Sequence, residues 1–238
     1  MQKPLMIAHR GYSRYEAENT LVSFSAAGAI EQFFGIETDV HVTNDKHFIT
    51  IHDENVSRVC LNTIDLDVEK NNFDIVKNVR LADVDGTLTR NDLRIPEMID
   101  YFKICKKYNK VAVCELKQLF NETQMQEILN IVDSIGMLEH TIFISFVVED
   151  LFLLRKLAPK QNAQALMCEW KDEYLPLLKQ YNLDVDIYHK SLSPKLLDTL
   201  HENNIKVNVW TVDEIEDARK YASWGIDYIT SNHIYKLD

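Results

Sequence analysis

Val111-Ala112-Val113-Cys114-Glu115-Leu116-Lys117 is an apolar run of strand length carrying two charges two residues apart. Helical periodicity frames it at Pro96–Tyr108 and Glu122–Ser134, so Val111–Leu116 reads as one strand of a βα series. Working outward, further strand candidates are Leu5–Ala8, Gly35–Val40, Thr141–Ser145, Ala163–Met167, Asp184–Ile187, Ile205–Trp210 and Asp227–Thr230. Helical patterns fill the intervals at Thr20–Glu31, Val148–Leu157, Lys171–Gln180, Pro194–Asn203 and Val212–Trp224. Pro96 and Pro194 suit first helical positions, where a missing amide costs nothing, and Asn19 and Ser193 suit caps. Eight strands separated by helices in 238 residues predict an α/β fold, a closed (β/α)8 TIM barrel. An open doubly wound sheet would carry a glycine-rich phosphate loop after its first strand, and a chain with 6 glycines has none.

Two regions break the alternation. Phe48–Ile51 is strand-like and follows the turn-prone Asn44-Asp45-Lys46 with no room for a helix, which predicts a hairpin setting Asp39 opposite Ile51 and returning His52 to the barrel rim. After it, residues 53–94 are polar and rich in Asn and Asp, too long for a normal connection. They read as a small insertion after the second strand, a subdomain or lid within one domain spanning 1–238, with too few apolar residues to core a second catalytic domain.

Lys and Arg number 26 against 37 Asp and Glu, a net charge of −11, so a nucleic-acid partner and a stable membrane association are not expected. Cys60, Cys105, Cys114 and Cys168 are scattered singly, the usage of reduced intracellular thiols. The apolar run Leu5–Ala8 stops at His9-Arg10, short of a signal-peptide core, and a cytoplasmic protein is the expectation.

Chemistry gathers where the strands end, the face on which barrel enzymes keep their sites. The first strand runs into His9-Arg10-Gly11, the second presents Glu37 and Asp39, the hairpin delivers His52-Asp53, and the third barrel strand presents Glu115 and Lys117. Residues two apart share one side of a strand. Three convergent carboxylates without His or Cys ligands are hard oxygen donors, suited to one divalent cation, Mg²⁺ or Ca²⁺, rather than zinc.

At these residues the sequence resembles the glycerophosphodiester phosphodiesterase family. The pattern comprises His9-Arg10-Gly11, Glu18-Asn19-Thr20, Glu37-Thr38-Asp39-Val40, Thr43, Asp45 and His52-Asp53. It continues through Ile95-Pro96, Glu115-Leu116-Lys117, Trp210-Thr211-Val212 and Gly225-Ile226-Asp227-Tyr228-Ile229-Thr230. Ala17 stands where the family favours Pro, and Lys46 where Gly is common. The resemblance implies a phosphoric diester hydrolase that releases glycerol 3-phosphate and an alcohol from a glycerophosphodiester. It further implies metal ligation by Glu37, Asp39 and Glu115, acid and base roles for His9 and His52, and phosphate binding by Arg10 and Lys117. Phosphodiester hydrolysis needs a proton taken from the nucleophile and one given to the leaving alkoxide, and imidazoles do both near neutral pH. The reach of the hairpin favours His52 as the acid. Phe146 and Trp210, at strand ends, are rim packing or an apolar wall for the alcohol. The remaining histidines, His41, His47, His140, His189, His201 and His233, read as hairpin, loop or helix-surface residues.

Asp83-Val84-Asp85-Gly86-Thr87 resembles the nucleophile motif of haloacid-dehalogenase-type phosphatases, but it follows a polar segment rather than a buried strand and reads as a turn. Alternatives to the hydrolase are a related barrel phospholipase or lyase that stops at a cyclic phosphate, and a non-catalytic phosphoester-binding protein. The latter would lack a His or a carboxylate, and none is missing.

Overall fold

The structure, a computed structural model, describes residues 3–237. Its elements in chain order are β1 (Leu5–Ala8), α1 (Leu21–Ala29), β2 (Phe33–Val42), β3 (Phe48–Thr50), α2 (Phe73–Val76), α3 (Met98–Lys107), β4 (Val111–Leu116), α4 (Glu122–Ser134) and β5 (Thr141–Ser145). There follow α5 (Val148–Leu157), β6 (Asn162–Met167), α6 (Tyr174–Tyr181), β7 (Asp184–Tyr188), α7 (Pro194–Glu202), β8 (Val207–Trp210), α8 (Ile215–Trp224) and β9 (Tyr228–Ser231). The strands β1, β2 and β4 to β9 run parallel in the order β1-β9-β8-β7-β6-β5-β4-β2, and β1 pairs with β2 to close the ring. This is the (β/α)8 TIM barrel the alternation predicts. Among the described residues no helix is long and apolar enough to cross a membrane.

Period-two alternation divides the core. Ile7, Val113, Ile142, Ile144, Leu166 and Tyr228 pack inside the barrel, while their neighbours along each strand, such as Ala8, Ala112, Phe143 and Ala165, pack outward against the helices. Burying both faces of every strand removes enough apolar surface to hold a polar cluster at one end of the interior.

The hairpin forms in the predicted register: Val40 faces Thr50, Val42 faces Phe48, and the Ile51 amide donates to the Asp39 carbonyl at 3.0 Å. In its turn Lys46 adopts a left-handed conformation, φ 73°, which explains why glycine suits the position. Lys46 is exposed. Lys46→Gly is therefore expected to stabilise the fold by about 0.5–1 kcal/mol, since relief of the left-handed penalty exceeds glycine's entropy cost. A thermal melt checks this, and an unchanged or lower Tm would contradict it.

Two local expectations need correction. Asn19 does not cap α1; Thr20 does, accepting from the Ser23 amide at 3.2 Å, while Asn19 is left-handed, φ 55°, with its side chain turned to the strand ends. Pro96 is not in the first turn of α3, which starts at Met98; instead its carbonyl accepts from the Thr50 amide at 3.0 Å and ties the end of the insertion to β3. Ser193 and Pro194 do hold their predicted cap and first-turn places in α7. Within the insertion Val56, Cys60, Val68, Val76, Val79, Leu81 and Leu93 bury together with Ala17, Ile49 and Ile51. Asp83–Thr87 is a tight turn closed by the Asp83 amide on the Thr87 carbonyl at 2.8 Å, with no strand before it.

Candidate active site

β2 and β4 are parallel neighbours with Asp39 opposite Glu115 and Glu37 opposite Val113, so three inward-facing carboxylates meet at the carboxyl end of the barrel. Ligand atoms of Glu37, Asp39 and Glu115 lie within 4.8 Å of one another, and all three residues are buried. Burial and the Asp39 charge raise the pKa of Glu37 well above the carboxylate range and push Glu115 up to about 8. Burial acts on Asp39 in the same direction but is outweighed by the Arg10, Lys117 and His52 charges, and its pKa is depressed.

Two cations face this cluster. The Arg10 guanidinium lies 3.3 Å from Asp39 Oδ2 through Nε, and the Lys117 ammonium lies 2.7 Å from Glu115 Oε1 and 3.5 Å from Asp39 Oδ1. Asp39 Oδ1 is buried and accepts no hydrogen bond. Once all three carboxylates are ionised, three of them against two cations leave one negative charge, which a divalent ion and a singly charged phosphodiester would together bring to zero. The donor set and the buried carboxylate oxygen that accepts no hydrogen bond fit a hard divalent cation.

The His9-Arg10-Gly11 turn is built to aim these groups. Arg10 is left-handed, φ 53°, so its amide donates to Glu37 Oε2 at 2.7 Å while its side chain reaches Asp39. Gly11 has φ 82°, and a Cβ there would stand 2.3 Å from Ser23 Oγ and 2.7 Å from the Ser23 carbonyl carbon, so no larger residue fits. Within Glu18-Asn19-Thr20, Glu18 Oε1 accepts from Arg10 Nη1 at 3.0 Å, and Asn19 Nδ2 donates to Asp39 Oδ2 at 2.7 Å while its Oδ1 accepts from Thr38 Oγ1 at 2.8 Å.

The two histidines arrive from β1 and from the hairpin, and each has its Nδ1 engaged. His9 Nδ1 is 2.8 Å from Asn232 Oδ1; the Asn232 side-chain amide donates to Asp213, which fixes its oxygen towards the ring. His52 Nδ1 is 2.5 Å from Asp53 Oδ1. An acceptor at Nδ1 places the ring proton there and leaves Nε2 with a free lone pair in the neutral ring. Burial, then the Arg10 charge, bring the His9 pKa down to about 4. Burial also lowers His52, opposed by the Asp39 and Asp53 carboxylates.

Phe146 and Trp210 meet edge-to-face at the rim, with centroids 5.7 Å apart, and Trp210 also packs on Tyr188. His41 is more than a hairpin residue: it is buried, with Nε2 3.2 Å from the His52 carbonyl and Nδ1 3.1 Å from Glu69. His189 is likewise buried, against Tyr221, and not a surface residue. The supporting residues Asn232, Asp213 and Asn19 were not legible as such, although Asp213 directly follows Trp210-Thr211-Val212 and Asn232 lies two residues beyond Thr230.

Comparison with known proteins agrees with this geometry. The sequence matches the Glycerophosphoryl diester phosphodiesterase family over residues 9–236. It is 26% identical over 241 residues to a glycerophosphodiester phosphodiesterase of Caldanaerobacter subterraneus, covering 97% of this chain and 94% of the relative. A Bacillus subtilis glycerophosphodiester phosphodiesterase is 24% identical over 258 residues, covering 96% of this chain and 83% of its own. Among solved structures, an Oleispira antarctica phosphodiesterase in complex with the product sn-glycerol-3-phosphate shares the fold, with TM-score 0.89 at 21% identity over 99% of this chain and 95% of that one. A Parabacteroides distasonis glycerophosphodiester phosphodiesterase superposes with TM-score 0.79 at 25% identity over 97% of this chain and 93% of that one. By fold, by motif and over nearly its whole length, the chain belongs to the glycerophosphoryl diester phosphodiesterase family and is an enzyme of that class.

Proposed function

We propose that the protein hydrolyses glycerophosphodiesters to glycerol 3-phosphate and an alcohol, with Glu37, Asp39 and Glu115 holding one divalent cation, Mg²⁺ or Ca²⁺. The observation that carries this reading is the pair of imidazoles, each fixed through Nδ1, brought from β1 and the hairpin to a buried trio of carboxylates, one of whose oxygens accepts no hydrogen bond. When bound, the cation would neutralise charge on the non-bridging phosphate oxygens. Arg10 and Lys117 orient the phosphate, their positions already set by Asp39, Glu18 and Glu115. His9, with a depressed pKa and only a neutral amide behind it, takes the proton from the nucleophile at Nε2. His52, backed by the Asp53 carboxylate, is the better proton carrier and gives its proton to the leaving alkoxide. Both histidines enter the next turnover by exchanging protons with solvent.

A cleft of about 770 Å³ opens beside His9, bordered by Arg14, the insertion tip at Val84, Asp213, Asn232 and His233. It is large enough for a small polar head group. The Phe146–Trp210 pair supplies an apolar wall elsewhere on the rim.

The direct test is release of glycerol 3-phosphate from a panel of glycerophosphodiesters in chelator and after Mg²⁺ or Ca²⁺ is restored; full activity in excess chelator would refute the metal role. Metal affinity should also depend on pH. With the Glu115 pKa raised to about 8 and Glu37 raised as well, the cation must displace protons from the metal-free site. Affinity is expected to rise between pH 6 and 8, by up to about tenfold per pH unit for each proton displaced. Calorimetric titration at several pH values checks this, and a constant Kd would contradict it.

A further inference from the structure

The insertion sends one guanidinium into the site. Arg58 donates through Nη1 and Nη2 to the two oxygens of Glu18, at 3.0 and 2.7 Å, and through Nε to Asp53 Oδ2 at 2.5 Å. Each of those carboxylates has a second partner in the proposed machinery. Glu18 Oε1 also accepts from Arg10 Nη1 at 3.0 Å, and Asp53 Oδ1 stands 2.5 Å from His52 Nδ1. A continuous chain thus runs from Arg10 through Glu18, Arg58 and Asp53 to His52. The Arg58 backbone is itself fixed: it begins a single 3-10 turn whose Cys60 amide donates to the Val56 carbonyl at 3.1 Å, and Val56 and Cys60 belong to the buried core of the insertion.

We propose that Arg58 is a positioning residue, and that holding Arg10 and His52 at a fixed separation is what the insertion contributes to the reaction. The inference rests on the catalytic reading above. The planar fork suits the task, because it spans two carboxylates with defined angles where an ammonium would act as a point charge. Without it, Glu18 and Asp53 would face each other across the gap as like charges, and Asp53 would lose the partner that aims its other oxygen at His52. Arg58 is half-exposed, so its pairs add little to stability, and their effect falls on geometry.

The test compares Arg58→Met and Arg58→Lys with the wild-type protein. Arg58→Met is expected to lower kcat by about ten- to a hundredfold with KM changed much less and the melting temperature nearly unchanged. Arg58→Lys should fall between. A pocket of about 180 Å³ bordered by Glu18 and Arg58 gives a small guanidinium access, so ethylguanidinium should restore part of the lost rate to Arg58→Met. Histidine ring resonances give a readout independent of turnover: the His52 Nδ1 signal should move in Arg58→Met while that of His201, which is paired with Asp227 and stands outside this chain of contacts, stays in place. Wild-type kcat in Arg58→Met, or joint movement of both histidine signals, would overturn the proposal. If the wild-type protein itself released no glycerol 3-phosphate, the catalytic reading would fail, and the His52 signal would still decide whether Arg58 positions the ring.

Discussion

Glu115→Gln is expected to lower kcat/KM for a glycerophosphodiester by about three orders of magnitude, roughly 4 kcal/mol, while leaving the metal-free fold as stable as before. The two halves of this expectation come from one observation. Glu115 is buried beside Asp39, and its pKa is raised from the ordinary carboxylate value to about 8. A carboxyl whose folded pKa lies above its unfolded one contributes stability at low pH that is lost as pH rises through the folded value, here across about pH 5 to 8. Gln has the shape of the protonated acid and cannot ionise, so the variant should escape that loss; in chelator near pH 8 its Tm should equal or exceed that of the wild type. What it cannot do is offer a charged oxygen to a cation. Added Mg²⁺ or Ca²⁺ should therefore raise the Tm of the wild type and not that of Glu115→Gln. A variant that kept both activity and the metal-induced rise in Tm would remove Glu115 from the ligand set.

The second large effect separates the histidines. His9→Ala and His52→Ala are each expected to lose about two to four orders of magnitude in kcat on a glycerophosphodiester, the usual range for a general acid or base. On a p-nitrophenyl ester of glycerol phosphate the outcomes should diverge, because that phenolate leaves without protonation near neutral pH. His52→Ala should recover most of its loss there, and His9→Ala should remain impaired. The assignment follows from what stands behind each ring, a neutral amide at His9 and a carboxylate at His52. Equal losses for both variants on both substrates would refute the division of labour, and rescue of His9→Ala instead would reverse it.

The parts legible in the sequence are those set by short-range patterns. Val111–Leu116, Thr141–Ser145 and Leu5–Ala8 appear at their predicted bounds, because strands buried on both faces in a parallel sheet read as near-continuous apolar runs. The hairpin register was readable because a centre at Asp45 dictates which residues face each other. Convergence of Glu37, Asp39 and Glu115 followed from strand periodicity together with the barrel's strand order.

What escaped depends on contacts distant in sequence. Asn19 has the composition of a cap, but its side chain is claimed by Asp39 and Thr38 across the βα gap, and Thr20 takes the cap instead. Pro96 lies two residues before the start of α3 because its carbonyl is paired with β3. The core of the insertion draws on residues from Val56 to Leu93 at irregular spacing and on Ile49 and Ile51 outside it, so no periodicity betrays it. Asn232 and Asp213 support His9 from the opposite end of the chain, a relation only the closed barrel creates.

The measurement that bears most directly on the central claim is a ³¹P NMR time course of the metal-loaded protein acting on a glycerophosphodiester. Base-assisted attack by water, with protonation of the departing alcohol, predicts that the diester resonance is replaced by that of glycerol 3-phosphate, with no other phosphorus product accumulating. Accumulation of glycerol cyclic phosphate as the end product would show that the substrate's own hydroxyl is the nucleophile and that the protein is a lyase, and release of the phosphorylated head group with free glycerol would contradict the proposed direction of cleavage.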